Sequence, residues 1–415
     1  MDRGSDGNSP SLGRTWIRAG VIVLGAAALG WFASVQAFAT AMAQFNPELA
    51  FAAAPGNGEA AAHEAEFLLT RATLANNGQP THDEARDALA IARASFARSP
   101  LEVIAVRSAG MARDALGDTK IARALMREAI GLSARDTGAN LWLVNDYAKL
   151  DDLSGVLHHY DLALRTSSKA EDVLLPKLAQ TLQLPQFIGP IEKQLAQNPP
   201  WATHFWYTVI NTPDSLKNAA TLRMDLYKAG VAMPQDRLDR MLVNGLARNN
   251  EWNEAFTLYR QFAGKSAPPL DRVGSVDLSR DPQFPPVEWA FPTNGLQSGG
   301  IDPGTRQMIL TGGSGSVGIG AYRALRLKPG RYAFDMAFVP DPTGGQRPNV
   351  EARVVCATSD SSSPVADFKD TGQPTVSGSF TITGACSDYL LQLRLSVQSG
   401  GATDVAINKL SLQPS

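Results

Sequence analysis

The sequence contains few of the residues that most often carry metal, redox or nucleophilic chemistry. Its 415 residues include two cysteines and five histidines, and no histidine lies in a cysteine or carboxylate cluster at zinc-ligand spacing. The chain contains no Walker A motif, no G-x-S-x-G elbow and no paired-carboxylate motif. These absences argue against the common hydrolase and phosphoryl-transfer classes. We therefore expect a non-enzymatic protein with no catalytic residue, no cofactor and no metal site.

A strong net charge is also missing. The 38 Lys and Arg residues and 40 Asp and Glu residues give a formal net charge of −2 at pH 7. Nucleic-acid binding requires a basic face that displaces counterions, so we expect no nucleic-acid partner. With 44% apolar and 19% charged residues, the chain has enough apolar material and length for two or three folded domains.

Two short matches to ligand-binding motifs lie in unsuitable contexts. The segment 313–318 reads G-x-G-x-x-G, but Pro329-Gly330 follows closely, whereas a dinucleotide site needs a helix at that point. We predict a loop there. His158 and His159 are adjacent, and neighbours on a helix point about 100° apart, so they are poorly placed to share one metal ion.

Charged residues are absent from Ala19 to Pro47, and arginines precede this run while Glu48 follows it. A helix needs about 20 apolar residues to cross about 30 Å of hydrocarbon. The basic residues on the N-terminal side favour a cytoplasmic N-terminus. We therefore predict a transmembrane helix at residues 19–43, with residues 1–18 in the cytoplasm and the bulk of the chain on the other side of the membrane.

A cleavable secretory signal is the alternative interpretation of the same residues. Ala37-Phe-Ala39 and Ala41-Met-Ala43 both match the A-x-A cleavage pattern. The apolar run is longer than the roughly 7–15 residues of a signal-peptide core, which favours an uncleaved anchor. Both interpretations export the remaining chain.

Both cysteines, Cys356 and Cys386, lie in the last part of the sequence. An exported chain meets an oxidising compartment in which disulfides persist. We predict a disulfide between these two residues; two buried free thiols are the alternative if the chain is not exported.

The rest of the chain divides into two halves of different composition. Residues 60–264 are rich in Ala, Leu, Arg and Glu with apolar residues at helical spacing, whereas residues 284–415 are rich in Gly, Pro, Ser, Thr and Val. Repeated prolines in residues 265–283 predict an extended linker between them. The predicted helices are 60–76, 84–97, 101–116, 118–132, 137–150, 153–166, 169–183, 187–197, 202–211, 214–229, 234–248 and 251–263.

The helical half shows an internal period of 34 residues. Aligning residues 103–136 with residues 137–170 superposes Gly117 on Asp151 and Ala129 on Ala163. This spacing resembles the tetratricopeptide repeat (TPR), a pair of helices that stacks into a solenoid. An irregular helical bundle is the alternative, because residues between 169 and 230 fit the pattern poorly.

The repeats together with the N-terminal anchor resemble bacterial single-pass TPR proteins of the cell envelope. Further strings that carry this resemblance are 132–136, 141–143, 159–167 and 197–201. The resemblance implies a scaffold that is tethered to a bacterial inner membrane by residues 19–43, with the bulk of the chain in the periplasm. It also implies that this scaffold binds protein partners of the envelope, in envelope or exopolysaccharide assembly. A solenoid offers an extended groove. The residues predicted to line it are Arg107, Arg113, Asn140, Asn145 and Tyr147.

The C-terminal half is predicted to form a jelly-roll-type β-sandwich. The predicted strands are 286–291, 306–310, 316–319, 322–327, 331–339, 349–357, 376–382, 388–397 and 404–412. This pattern is similar to galactose-binding-like carbohydrate-binding modules, so the alternative function is polysaccharide binding. Trp289, Phe291 and Tyr322 are the possible sugar contacts, because aromatic rings cover the apolar faces of sugars. A periplasmic hydrolase is a third hypothesis, without a visible carboxylate pair.

Overall fold

The computed structural model describes residues 12–166, 168–265, 267–293, 295–340, 347–358, 364–398 and 403–415. An apolar helix comes first, a helical region follows, and two antiparallel sheets form the C-terminal part, as predicted. Contacts divide the chain into two compact units, with the boundary between Ala170 and Glu171. The last helices of the array therefore belong to the same unit as the β-sandwich.

All twelve predicted helices are present, and each end lies within two residues of its predicted position. The described helices are α1 (Leu12–Met42), α2 (Pro47–Ala53), α3 (Gly58–Ala75), α4 (His82–Arg98), α5 (Val103–Ala115), α6 (Thr119–Leu132), α7 (Thr137–Lys149), α8 (Leu153–Leu164), α9 (Ser168–Thr181), α10 (Ile188–Leu195), α11 (Ala202–Ile210), α12 (Leu216–Lys228), α13 (Asp236–Arg248) and α14 (Trp252–Phe262). The short helix α2 is an addition to the predicted set.

Local capping explains where several helices begin. The Thr81 side chain accepts a hydrogen bond from the Glu84 backbone, while the Glu84 carboxylate accepts one from the Thr81 backbone. Asp136 and Asp152 cap α7 and α8 more simply, since each side chain accepts one hydrogen bond from a backbone N–H of the first turn. Such caps satisfy backbone N–H groups that have no partner inside the helix.

The predicted 34-residue period is present in the helix starts. The helices α5 and α7 begin at Val103 and Thr137, and α6 and α8 begin at Thr119 and Leu153, so both intervals are 34 residues. Consecutive helices in this region pack on each other. A Cβ atom on Gly110 of α5 would lie 3.0 Å from the Met126 side chain of α6, so a glycine permits this close approach.

The C-terminal end of α1 packs against the first helices of the array. Ala39 and Ala43 are completely buried in a small alanine-rich core formed with α2 and the start of α3. The Asn57 side-chain amide also donates hydrogen bonds to Gln36 Oε1 at 2.9 Å and Thr40 Oγ1 at 3.1 Å. By contrast, every residue from 19 to 34 is exposed. The last turns of α1 thus belong to the folded unit, while the preceding apolar turns do not.

The predicted linker is part of the folded second unit. We name residues 267–293 the strap. Val273 exchanges two backbone hydrogen bonds with Leu412, and Phe284, Val287 and Trp289 are buried. The prolines exclude regular helix and strand, but the backbone and apolar side chains of the strap still pack on the sandwich.

Two sheets form the C-terminal sandwich. Their strands run in the orders β1-β2-β9-β4-β7 and β3-β8-β5-β6, and all pairs are antiparallel. The strands are β1 (Gln297–Asp302), β2 (Gln307–Gly312), β3 (Val317–Leu325), β4 (Gly330–Phe338), β5 (Asn349–Cys356), β6 (Ala366–Phe368), β7 (Thr375–Ile382), β8 (Tyr389–Ser396) and β9 (Asp404–Pro414). Alternate residues of β4 face the core. Residues 313–316 join β2 to β3, whereas Val317 and Gly318 of the predicted loop begin β3. The predicted strand 286–291 is reduced to one bridge between Ala290 and Tyr322.

A buried polar network joins α14, the strap and β3. Arg323 of β3 is completely buried and forms an ion pair with Asp277 of the strap. Glu288 of the strap forms an ion pair with Arg280 and accepts a hydrogen bond from the Tyr259 hydroxyl of α14 at 3.2 Å. Buried charges are tolerated when they are paired and hydrogen-bonded, so this network makes the strap a fixed connection.

The predicted disulfide joins Cys356, at the end of β5, to Cys386, which precedes β8. The two residues are separated by 30 positions. A cross-link that closes a loop of this length lowers the entropy of the unfolded chain and thereby raises the free energy of unfolding by about 2–4 kcal/mol. We expect the Cys356→Ser/Cys386→Ser variant to lose this amount in its free energy of unfolding by urea. The parent protein treated with reductant should match the variant; equal stability of the oxidised parent and the variant would contradict the prediction.

Candidate functional site

Helix α13 presents two chemically opposite faces. Leu238, Leu242, Val243 and Leu246 are completely buried. Polar residues recur on the other face at the three- and four-residue spacing of a helix. They are Arg237, Arg240, Asn244, Arg248 and Asn249.

The polar face of α13 lines a cavity of about 720 Å³. Residues 282, 283 and 285 of the strap also line it, as do Ile210, Asn211 and Pro213. The Asn244 side-chain amide donates a hydrogen bond to the Pro285 carbonyl at 3.1 Å. This volume lies in the range of ordinary ligand pockets, about 300–1,000 Å³.

None of the three arginines of this cavity forms an ion pair with a described carboxylate. Arg237 donates to the Gln235 side-chain oxygen at 2.8 Å and lies over the Tyr207 ring. Arg240 donates to the Gln283 side-chain oxygen at 2.7 Å, and Arg248 is exposed. The described lining of this cavity therefore carries three positive charges and no carboxylate.

A second cavity of about 620 Å³ adjoins the first, and Arg240 and Gln283 line both. In this lining Arg223 forms a bidentate ion pair with Asp239 at 2.7 and 3.0 Å, and Asp236 supplies a second carboxylate. The larger apolar and aromatic side chains of the lining are Tyr227, Val231, Met233, Phe262 and Phe284. We name the two cavities together the α13 groove.

The first cavity of the groove presents guanidinium and amide side chains. Among described residues, the lining of the first cavity contains no carboxylate, histidine, cysteine or hydroxyl side chain. Guanidinium groups and side-chain amides instead favour hydrogen bonds to carboxylates. No family model and no curated protein matches this chain. The site must therefore be interpreted from its own geometry.

Metal ligands are not assembled in the described ranges. No group of three or more His, Cys, Asp or Glu side chains among these residues is placed to hold a metal ion.

The five predicted groove residues of the first unit do not converge. Arg107 forms ion pairs with Glu66 and Asp136, so it joins three parts of the array. Arg113 forms an ion pair with Asp118 at 2.6 Å, while Asn145 is exposed. Both arginine side chains are therefore engaged in ion pairs within the helical array.

Asn140 and Tyr147 surround a buried histidine. Asn140, which is completely buried, donates both amide hydrogens to backbone carbonyls, at 3.1 and 3.0 Å. Its side-chain oxygen therefore accepts a hydrogen bond from His159 Nδ1 at 2.9 Å. The Tyr147 ring stacks on the His159 ring with centroids 5.5 Å apart. Asn140 is a packing residue in this structure and is not open to a partner, which corrects its predicted place in the groove.

Burial lowers the pKa of His159 to about 4, and the charges of His158 and Arg127 act in the same direction. In the unfolded chain His159 binds a proton as the pH falls through about 6.5, whereas in the folded unit it binds one only near pH 4. Stability should therefore fall as the pH falls through this window, by up to about 3 kcal/mol. His159→Gln should remove this part of the pH dependence in urea unfolding, whereas the exposed His82→Asn should retain it. Equal pH profiles for His159→Gln and the parent would contradict the assignment.

The three predicted sugar contacts are mostly packing residues. Trp289 is 1% exposed and lies in the sandwich core, so this structure does not present its ring to a sugar, contrary to the prediction. Phe291 is partly buried against the same core. Tyr322 is half-buried, and burial raises the pKa of its hydroxyl. The backbone brings these residues close together, but not as an open aromatic platform.

Proposed function

We propose that this protein is a non-enzymatic scaffold, tethered to the bacterial inner membrane, that binds an acidic segment of an envelope protein in the α13 groove. The observation that carries the proposal is the presence of Arg237, Arg240 and Arg248 in the lining of one cavity, where none of them forms an ion pair with a described carboxylate. The bulk of the chain, including the helical repeats, lies in the periplasm. Its helical array belongs with the TPR-type solenoids, which bind other proteins along extended surfaces.

Burial at the end of α1 supports an uncleaved anchor over a cleaved signal. Cleavage after Ala39 would remove this buried alanine and the Gln36 partner of Asn57, and cleavage after Ala43 would also remove Ala43 and the Thr40 partner. The remaining α2 and α3 would then lose their apolar cover. The disulfide between Cys356 and Cys386 supports an oxidising compartment for the other end of the chain.

The lining of the groove favours a peptide over an acidic glycan. The first cavity has guanidinium and amide groups but no aromatic side chain among its described lining residues, whereas sugar sites use flat aromatic faces. The second cavity adds apolar and aromatic surface beside the charged one. An acidic segment that also carries an apolar side chain matches both cavities of the α13 groove. The assignment to envelope or exopolysaccharide assembly remains a prediction.

Fluorescence anisotropy with the full chain in nanodiscs tests the proposal. The probe is a short fluorescein-labelled oligoglutamate peptide that ends in phenylalanine, and an oligoglutamine peptide and an oligogalacturonate serve as the comparisons. We expect Arg237→Gln/Arg240→Gln/Arg248→Gln to weaken oligoglutamate binding at least about tenfold, or about 1.4 kcal/mol. Added salt should also weaken binding by the parent.

The matched control removes three exposed positive charges from the first unit, in Lys120→Gln/Arg135→Gln/Lys149→Gln. This control should bind the peptide almost as the parent does. Equal losses in both triple variants would reduce the effect to net charge and would overturn the groove assignment. Tighter binding of oligogalacturonate than of oligoglutamate would favour the alternative, a carbohydrate-binding protein.

A further inference from the structure

The exposed apolar part of α1 is shorter than a bilayer. The residues from Ala19 to Met42 satisfy the length and composition of a membrane span, but α2 and α3 cover part of the helix from Val35 onward. The sixteen exposed residues 19–34 extend about 24 Å at about 1.5 Å per residue. A hydrocarbon core is about 30 Å thick. The exposed run is therefore short by about 6 Å.

The cytoplasmic side offers little extra length. Arg18 directly precedes Ala19, and an arginine in the hydrocarbon is costly unless its charge reaches the headgroups. The missing length therefore lies at the other end of the span, where α1 meets α2.

That end carries an apolar surface with almost no charge. From Ala19 to Gly58 the one charged residue is Glu48. Phe45 is 83% exposed, Leu49 is 46% exposed and Phe38 is 44% exposed. The buried positions in this part of the chain are instead occupied by alanines. Helices that lie in a membrane interface bury their apolar face by about 5–10 Å, which matches the shortfall.

We infer that Phe38, Phe45 and Leu49 form a membrane-seating surface that is immersed in the outer boundary of the bilayer that α1 crosses. This inference rests on the proposed anchor. The occupant of the surface is lipid, because the surface is continuous with the lipid-facing turns of α1. Hydrogen bonds from Asn57 to Gln36 and Thr40 hold α3 against the same turns. The first helices of the array are thereby held at a defined depth against the bilayer.

Site-specific fluorescence with the full chain in liposomes tests this inference. The native cysteines are joined in a disulfide, so a single introduced cysteine carries the environment-sensitive dye NBD. The labelled variants are Leu24→Cys in the span, Phe45→Cys and Leu49→Cys on the seating surface, and Leu74→Cys near the far end of α3. Leu74 is 81% exposed and lies about 24 Å along α3 from Gly58. Nitroxide-labelled phosphatidylcholine serves as the quencher.

We expect a blue-shifted emission and quenching at positions 24, 45 and 49, and at least twofold weaker quenching at position 74. Quenching at position 24 with positions 45 and 49 indistinguishable from 74 would overturn the seating surface and leave the anchor intact. No quenching at position 24 would overturn the anchor itself. Equal quenching at positions 45 and 74 would contradict the assignment of the contact to this surface. Circular dichroism of each labelled variant confirms that the helices have formed.

Discussion

Asp277→Asn should lower the free energy of unfolding of the second unit by about 3–5 kcal/mol. The substitution preserves the volume of the side chain but removes the negative charge that pairs with Arg323. The Arg323 guanidinium is completely buried, and burial lowers its pKa to about 10, so it still carries its charge at neutral pH. An unpaired buried charge is costly because no water replaces the lost partner.

The loss should appear as a lower melting temperature of the unit, by about 6–20 °C, in differential scanning calorimetry. Asp225→Asn is the control: it removes a carboxylate that pairs with Lys228, a side chain that is 67% exposed, and it should cost less than about 1 kcal/mol. Similar losses in the two variants would contradict the importance of the buried pair.

A double replacement separates charge from packing. Arg323→Met/Asp277→Leu removes both charges and should be more stable than Asp277→Asn, because neither charge is left unpaired. It should remain less stable than the parent, since the Val287 and Pro269 carbonyls lose the hydrogen bonds that Arg323 donates. A double variant no better than Asp277→Asn would assign the loss to the strap hydrogen bonds instead.

Leu29→Arg/Phe32→Arg should release the protein from membranes. Both side chains are exposed, at 71% and 61%, near the middle of the apolar span. Two arginines in place of Leu and Phe at the centre of a span raise the insertion free energy by about 6–8 kcal/mol. We expect the fraction retained in the pellet after alkaline carbonate extraction to fall from nearly all to less than about a tenth.

Leu29→Ala/Phe32→Ala keeps the span apolar and should remain in the pellet. The intact mass of the protein recovered there should include residues 19–39, as an uncleaved anchor requires. Retention of the double-arginine variant in the pellet would refute a membrane span. A mass that begins after Ala39 or Ala43 would instead establish the cleaved-signal alternative.

The helical region was accessible to sequence reasoning because its signals are local. The Thr81 and Glu84 capping box and the Asp136 cap each depend on residues within one turn, and the 34-residue period is a spacing that can be counted along the chain. The short strand β6 and the glycine-containing β1 have no comparable pattern, and their pairing with neighbours determines them. The helix α2 has seven residues, too few for a periodic pattern to identify it.

The candidate site needed the tertiary structure. The arginine stripe of α13 is visible in the sequence at helical spacing, but such a stripe usually faces solvent. Arg240 and Gln283 are 43 positions apart, and no local pattern indicates that the strap covers this stripe. The same reason explains Asn140 and Trp289, whose burial depends on other segments.

The sequence by itself determined the apolar span, the order of a helical half and a β half, nearly all helix bounds and the cysteine pair. These features depend on composition and on neighbours within a few turns. The tertiary structure alone decided that the end of α1 is buried, that the proline-rich segment is a strap and that three arginines share one cavity. Each of these features depends on which segments, far apart in the sequence, pack together and exclude water. The hydrophobic effect has no preferred direction, so an apolar residue in the sequence does not indicate which segment will cover it.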